Sequence, residues 1–149
     1  MSKIRITKSF SFETGHALYG YDGLCKNVHG HSYKLDVTVI GTPISDPNHV
    51  KYGMVIDFKD LKKIVIDEIV DVFDHATVFN KNTPHVALAA TLEESGHKVL
   101  LVDYQPTSEE MIIDFAAKIQ AKLPQQIKLH HLRLQETATS YAEWYAADQ

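Results

Sequence analysis

The chain has 149 residues, with 15 Lys+Arg against 19 Asp+Glu, a formal charge of −4, 44% hydrophobic residues and one cysteine. That composition excludes wholesale disorder, and the length suits one domain burying roughly two-thirds of its unfolded surface. The acid excess offers no basic field for nucleic acid or an acidic membrane, and a lone cysteine excludes an intrachain disulfide framework. No apolar stretch nears the roughly 20 residues of a spanning helix. Met1-Ser2-Lys3-Ile4-Arg5 leads into alternating residues and not into a signal-peptide core, so a cytoplasmic single-domain protein is expected.

From Ile4 to Phe12 the apolar residues Ile4, Ile6, Phe10 and Phe12 fall on even positions, which predicts a half-buried strand. A turn-rich loop follows over 20–27, and alternation returns at Tyr33, Leu35, Val37 and Val39 until Gly41-Thr42-Pro43. Residues 53–56 could form a short strand. Asp57 then caps a predicted helix with Phe58, Leu61, Val65, Ile69 and Val72 on one face. Asn80 to Pro84 reads as punctuation, Val86 to Ser95 as a short helix and Val99 to Asp103 as a strand. Thr107-Ser108-Glu109-Glu110 has capping-box spacing before Met111, Ile112, Phe115, Ile119 and Leu123. Residues 127–135 and 139–145 read as a closing pair of strands. Strands joined locally at both ends favour an α+β fold, an antiparallel sheet with two helices packed on one face.

His29 and His31 share the parity of Tyr33 and Leu35, and His16 shares that of Phe12 and Thr14. Three imidazoles from two adjacent strand ends can therefore meet, and three histidines with an open fourth position form the ligand set of a catalytic zinc site. An isolated H-x-H pair is more often a satisfied polar feature of a strand. His49, His85 and His97 sit in polar sequence and read as solvated, and His130 and His131 cannot share one strand face.

Cys25 lies in the loop before His29, beside Lys26 and Asn27. A lone cysteine is commonly a small buried apolar residue, but neighbouring cations and solvent favour thiolate, which can accept a proton. Asp74-His75 closes the first helix; the imidazole either complements the helix C-terminus or serves as a proton relay oriented by the carboxylate. Glu136 has the parity of Leu132 and Leu134. Its carboxylate fits a salt bridge, a turn cap, or the amino-amide edge of a heterocycle.

Taken together, Phe10-x-Phe12-x-x-x-His16, Cys25-x-x-x-His29-Gly30-His31, Asp74-His75, Pro106-Thr107-x-Glu109 and Glu136-Thr137 resemble the 6-pyruvoyltetrahydropterin synthase family over most of the chain. The short spacer from Cys25 to His29 is similar to the bacterial 6-carboxytetrahydropterin synthase branch of the queuosine pathway. The resemblance implies a tunnelling fold whose sheets join into a barrel in a homo-oligomer, commonly a hexamer of two trimers with active sites between subunits. It implies Zn2+ on His16, His29 and His31, Cys25 as proton acceptor, and Asp74, His75 and Glu136 as charge relays. Glu136 would also anchor a pterin ring, helped by the Thr107 region, in a pterin triphosphate substrate. Two features depart from the pattern: Thr14-Gly15 before His16, and a connection at about 81–105 that is longer than the compact form. The sequence assigns no triphosphate-binding cation; Lys26 and Lys34 are near, and charge alone reads both as solvated. A synthase that keeps the substrate's carbon side chain, a non-catalytic zinc or pterin module, and a Cys-His hydrolase are the competing readings.

Overall fold

The computed structural model describes residues 1–149. Two long strands, β1 (Ile4–His16) and β2 (His29–Gly41), pair antiparallel along their whole length, from Ile4 opposite Gly41 to His16 opposite His29. Their period of two does what it predicts. Phe10, Phe12, Tyr33, Leu35, Val37 and Val39 are buried on one face, while Ser9, Ser11 and Lys34 face outward. β5 (Lys128–Thr137) and β6 (Ser140–Tyr145) extend this ladder antiparallel on the β2 side.

On the other side of β1 the sheet is wider than the sequence reading expects. β3 (Ala76–Asn80) pairs parallel with β1, and β4 (Val99–Val102) pairs parallel with β3, giving one mixed sheet in the order β4-β3-β1-β2-β5-β6. Ala76-Thr77-Val78-Phe79 hides as a strand because it is short, follows a helix directly and is buried on both faces, so it shows no alternation. Residues 53–56, expected as a short strand, form a turn in which Gly53 N–H donates to Ile44 and Ile44 N–H donates to Met54.

Helix α1 (Phe58–Val65) starts at Asp57, whose carboxylate accepts from Lys59 N–H at 2.9 Å. It runs through a π-helical stretch, Ile66–Val70, into α2 (Asp71–Phe73). The buried residues Leu61, Val65, Ile69 and Phe73 recur every four residues. A regular α-helix would rotate that series by about 40° per step, and a wider turn brings it back toward the sheet. Phe58, expected on this face, stays half exposed. Helix α4 (Ser108–Lys122) buries Met111, Ile112, Phe115 and Ile119 beside it. Phe115 meets Phe73 edge-on at 4.9 Å and Phe12 at 6.1 Å, so truncating it to alanine should cost about 3–5 kcal/mol.

These helices cover one face of the sheet, as expected. A third helix, α3 (His85–Glu94), packs Ala89 against Phe79 and Ala17 in a separate small core. Val78 joins the main core and its neighbour Phe79 the small one, so α3 covers the opposite face of the β3 edge. The stretch at 81–105 therefore carries a helix and an edge strand. No helix is long and apolar enough to cross a membrane.

Candidate metal centre and its surroundings

The strand register sets the site. His16 and His29 are direct partners across the β1–β2 ladder, and His31 lies two residues further along the face that His29 shares. Gly15 and Gly30 face each other on the reverse side. A Cβ on Gly15 would sit 3.2 Å from His29 O, and one on Gly30 would sit 3.3 Å from Thr14 O, so the two strands approach closely at the level of the histidines. One nitrogen from each of His16, His29 and His31 lies within 4.8 Å of the others.

Hydrogen bonds fix which nitrogens are free. His16 Nδ1 donates to the Pro106 carbonyl at 2.7 Å, and His29 Nδ1 donates to the Asn27 carbonyl at 2.6 Å. With Nδ1 carrying the proton, each neutral ring presents a bare lone pair at Nε2, and those two Nε2 atoms face each other at 3.0 Å. Two lone pairs in that position repel unless a cation or proton sits between them. His31 Nε2 is buried and makes no well-aligned hydrogen bond, although a carboxylate oxygen of Glu136 lies 3.0 Å away. Burial, as the largest cause, holds His16 and His31 below the ordinary histidine range, which keeps them in the neutral form that metals bind. The carbonyl acceptors behind His16 and His29 are the supporting partners a metal-ligating histidine needs. The donor set and the tautomers fit a borderline cation such as Zn2+.

Glu136, near the end of β5, stands beside the triad. Its Oε1 lies 3.0 Å from His31 Nε2 and 3.5 Å from His16 Nε2, while Oε2 accepts from Ser108 Oγ at 2.9 Å. Glu136 and Ser108 open onto a cavity of about 430 Å³ that Tyr141 also lines. Beneath the histidines, Tyr33 is fully buried with its hydroxyl unpaired, and its ring centre is 5.6 Å from that of His31. Burial first, then the charges of Glu136 and Cys25, push the Tyr33 phenol upward. Cys25 is a half-buried free thiol in a single 3-10 turn, Leu24–Lys26, whose carbonyl accepts from Leu18 N–H at 3.0 Å.

Thr107 is the N-cap of α4, its hydroxyl accepting from Glu110 N–H at 3.2 Å. Its neighbours reach the site instead, Pro106 through its carbonyl and Ser108 through its hydroxyl. Asp74 and His75 form a pair at 3.0 Å, with Asp74 also accepting from Glu13 N–H at 2.9 Å. That backbone bond is the main reason Asp74 is held below the usual carboxylate range. The pair makes no hydrogen bond or ion pair with the histidine triad of its own chain. His75 lines a cavity of about 300 Å³ with Glu13, Gly15, Gly30, Ser32 and His31, mostly residues of the opposite face of the β1–β2 ladder. Its backbone is left-handed, with φ 60°, and its N–H donates to Glu13 O at 2.6 Å. His49 and His97 are exposed as expected, whereas His85 is half-buried, packed edge-on to Tyr19 and Phe79.

Comparisons with known proteins show which family this chain is similar to. A family model described as 6-pyruvoyl tetrahydropterin synthase matches residues 5–147. A Haemophilus influenzae protein named 6-carboxy-5,6,7,8-tetrahydropterin synthase is 38% identical over 141 residues, covering 94% of this chain and 97% of its own. An Aquifex aeolicus protein of the same name is 31% identical, with coverages of 95% and 98%. The solved Caenorhabditis elegans 6-pyruvoyl tetrahydropterin synthase superposes with a TM-score of 0.69 over 98% of this chain and 97% of its own, at 23% identity. At that identity the likeness is one of fold.

Proposed function

The chain belongs to the 6-pyruvoyl tetrahydropterin synthase family, and from that premise we propose that it is a zinc-dependent 6-carboxy-5,6,7,8-tetrahydropterin synthase of queuosine biosynthesis. The reaction takes 7,8-dihydroneopterin triphosphate and water to 6-carboxytetrahydropterin, acetaldehyde and triphosphate. The observation that carries this reading is the face-to-face approach of the His16 and His29 Nε2 atoms at 3.0 Å, both with their protons committed elsewhere, beside a carboxylate tethered by Ser108. Curated relatives bearing this name support the product assignment.

His16, His29 and His31 would hold the ion, which when bound supplies charge that polarises oxygens on the substrate side chain and acidifies the adjacent C–H bonds. Glu136 accepts from the amino and amide N–H groups along one edge of the pterin, and Ser108 fixes the direction of that carboxylate. The Thr107 region contributes Ser108 to the same cavity and Pro106 to the support of His16. Cys25, on the loop beside the triad, accepts the side-chain proton as thiolate. Asp74 fixes the tautomer of His75 through Nδ1, leaving Nε2 to move a proton. Because His75 lies on the reverse face of its own ladder, it serves the site of a neighbouring copy. This fits a homo-oligomer, a hexamer of two trimers, in the cytoplasm.

Mass-resolved product analysis of the purified, zinc-loaded chain with dihydroneopterin triphosphate, with acetaldehyde assayed in parallel, tests the reading. Carboxytetrahydropterin with matching acetaldehyde supports it. Pyruvoyltetrahydropterin without acetaldehyde would replace the product assignment and keep the site. No turnover by folded, metal-loaded protein would replace catalysis with binding.

A further inference from the structure

A cavity of about 450 Å³ lies between the loop after β1 and the start of α3, lined by Tyr19, Tyr21, Lys26, Asn27 and His85. No carboxylate lines it. We propose that this cavity binds a polyphosphate, and that in the pterin triphosphate reading, on which this assignment rests, it holds the triphosphate tail of the substrate.

The lining is one of donors. The lysines held in ion pairs are Lys51, Lys63, Lys118 and Lys122; Lys26 forms none and keeps its charge for a ligand. His85 is clamped edge-on by Tyr19, ring centres 5.2 Å apart, and by Phe79 at 5.3 Å. Its Nδ1 is buried and unpartnered, which leaves Nε2 as the nitrogen available to a ligand. The Tyr19 and Tyr21 hydroxyls, on half-exposed side chains, make no hydrogen bond within the chain and can donate as well. An ammonium, an imidazole and two phenols suit a ligand that is all acceptor and strongly anionic, as phosphates are. Lys34, the other cation near this segment, is exposed on the β2 face away from the histidines.

Both walls of the cavity are tied to the histidine site. Asn27 lines it while its carbonyl accepts from His29 Nδ1. The Tyr19 carbonyl accepts from Gln105 Nε2 at 3.0 Å, next to the Pro106 carbonyl that holds His16. Lys26 follows Cys25 directly. A short carbon chain reaching from the histidines toward Cys25 would therefore carry its terminal phosphates into this cavity, where the released triphosphate would also remain bound.

The test is calorimetric titration of the full chain with inorganic triphosphate, and separately with 7,8-dihydroneopterin, which has no phosphate. Protein metal content is measured before and after each run. Lys26→Ala and His85→Ala are each expected to weaken triphosphate binding about tenfold or more, Lys26→Arg to retain it, and dihydroneopterin to bind all variants alike. Lys26 is exposed and His85 begins a helix that alanine extends readily, so both variants should fold. Wild type that fails to bind triphosphate, variants that bind it unchanged, or a heat signal that follows metal loss would overturn the proposal. Wild type that binds triphosphate and not dihydroneopterin would sink the pterin reading while leaving the cavity assigned.

Discussion

Ser108 Oγ donates to Glu136 Oε2 at 2.9 Å, so one oxygen of that carboxylate is committed to helix α4 while the other faces His31. Capping of α4 rests on the adjacent Thr107, which frees Ser108 for this single contact. Ser108→Ala should leave the melting temperature nearly unchanged and raise KM for the pterin about tenfold, the worth of one hydrogen bond to a charged group. Steady-state kinetics beside a thermal melt checks both halves.

Removing the metal should loosen the histidine cluster. Chelation should lower the melting temperature, and added Zn2+ should restore it, because a ligand that binds only the folded state stabilises by mass action. His29→Ala should abolish that restoration, and elemental analysis should then find no stoichiometric metal. Unchanged metal content in His29→Ala would sink the triad as the ligand set.

The pH dependence of the metal-free protein follows from His16 and His31. Burial holds both below their unfolded value of about 6.5. As pH falls through that value the unfolded chain takes up protons that the folded one still refuses, so stability drops below pH ~6.5 and is unaffected by these groups above it. Melts on either side of that pH should show the slope, and His16→Asn should reduce it.

His75 occupies a left-handed backbone position that costs a non-glycine residue about 1 kcal/mol. His75→Gly should therefore be more stable than His75→Ala by about that amount in denaturant titration, with both variants equally impaired in turnover. Equal stability would mean that the contact of its N–H with Glu13 is not held under strain.

Cys25→Ala should fold normally, since the turn is pinned through the backbone carbonyl of residue 25 and not through sulfur. Turnover should fall about a hundredfold or more if the Cys25 sulfur is the proton acceptor. Full activity in this variant would remove Cys25 from the mechanism.

The triad was legible in the sequence because strand parity is an integer rule. Once Tyr33, Leu35 and Val37 defined an inward face, His29 and His31 had to share it, and Thr14 and Phe12 did the same for His16. Glu136 shares the parity of Leu132 and Leu134, but the β5–β6 register shifts between Gln135 and Thr137, so parity alone did not fix its direction. What was not legible depends on contacts between distant segments. The Pro106 carbonyl, 90 residues from His16, carries no side-chain signature, and Ser108 was indistinguishable from an ordinary residue of a capping box. His85 looked like loop because its burial comes from Tyr19 and Phe79, which only the packing of α3 brings to it. β3 lacked alternation because both of its faces are covered.

His16 and His29 form the last rung of an antiparallel ladder whose thirteen pairs begin at Ile4 and Gly41. The spacing of these two imidazoles is thus dictated by main-chain pairing, and the segment 17–28 that joins them bears none of that duty beyond the carbonyl of Asn27. Outside Cys25 and Asn27, that segment is a replaceable cassette. Its other side chains can drift or be engineered to suit other anionic substrates while the histidine rung stays in register, which lets substrate choice evolve separately from the spacing of the imidazoles.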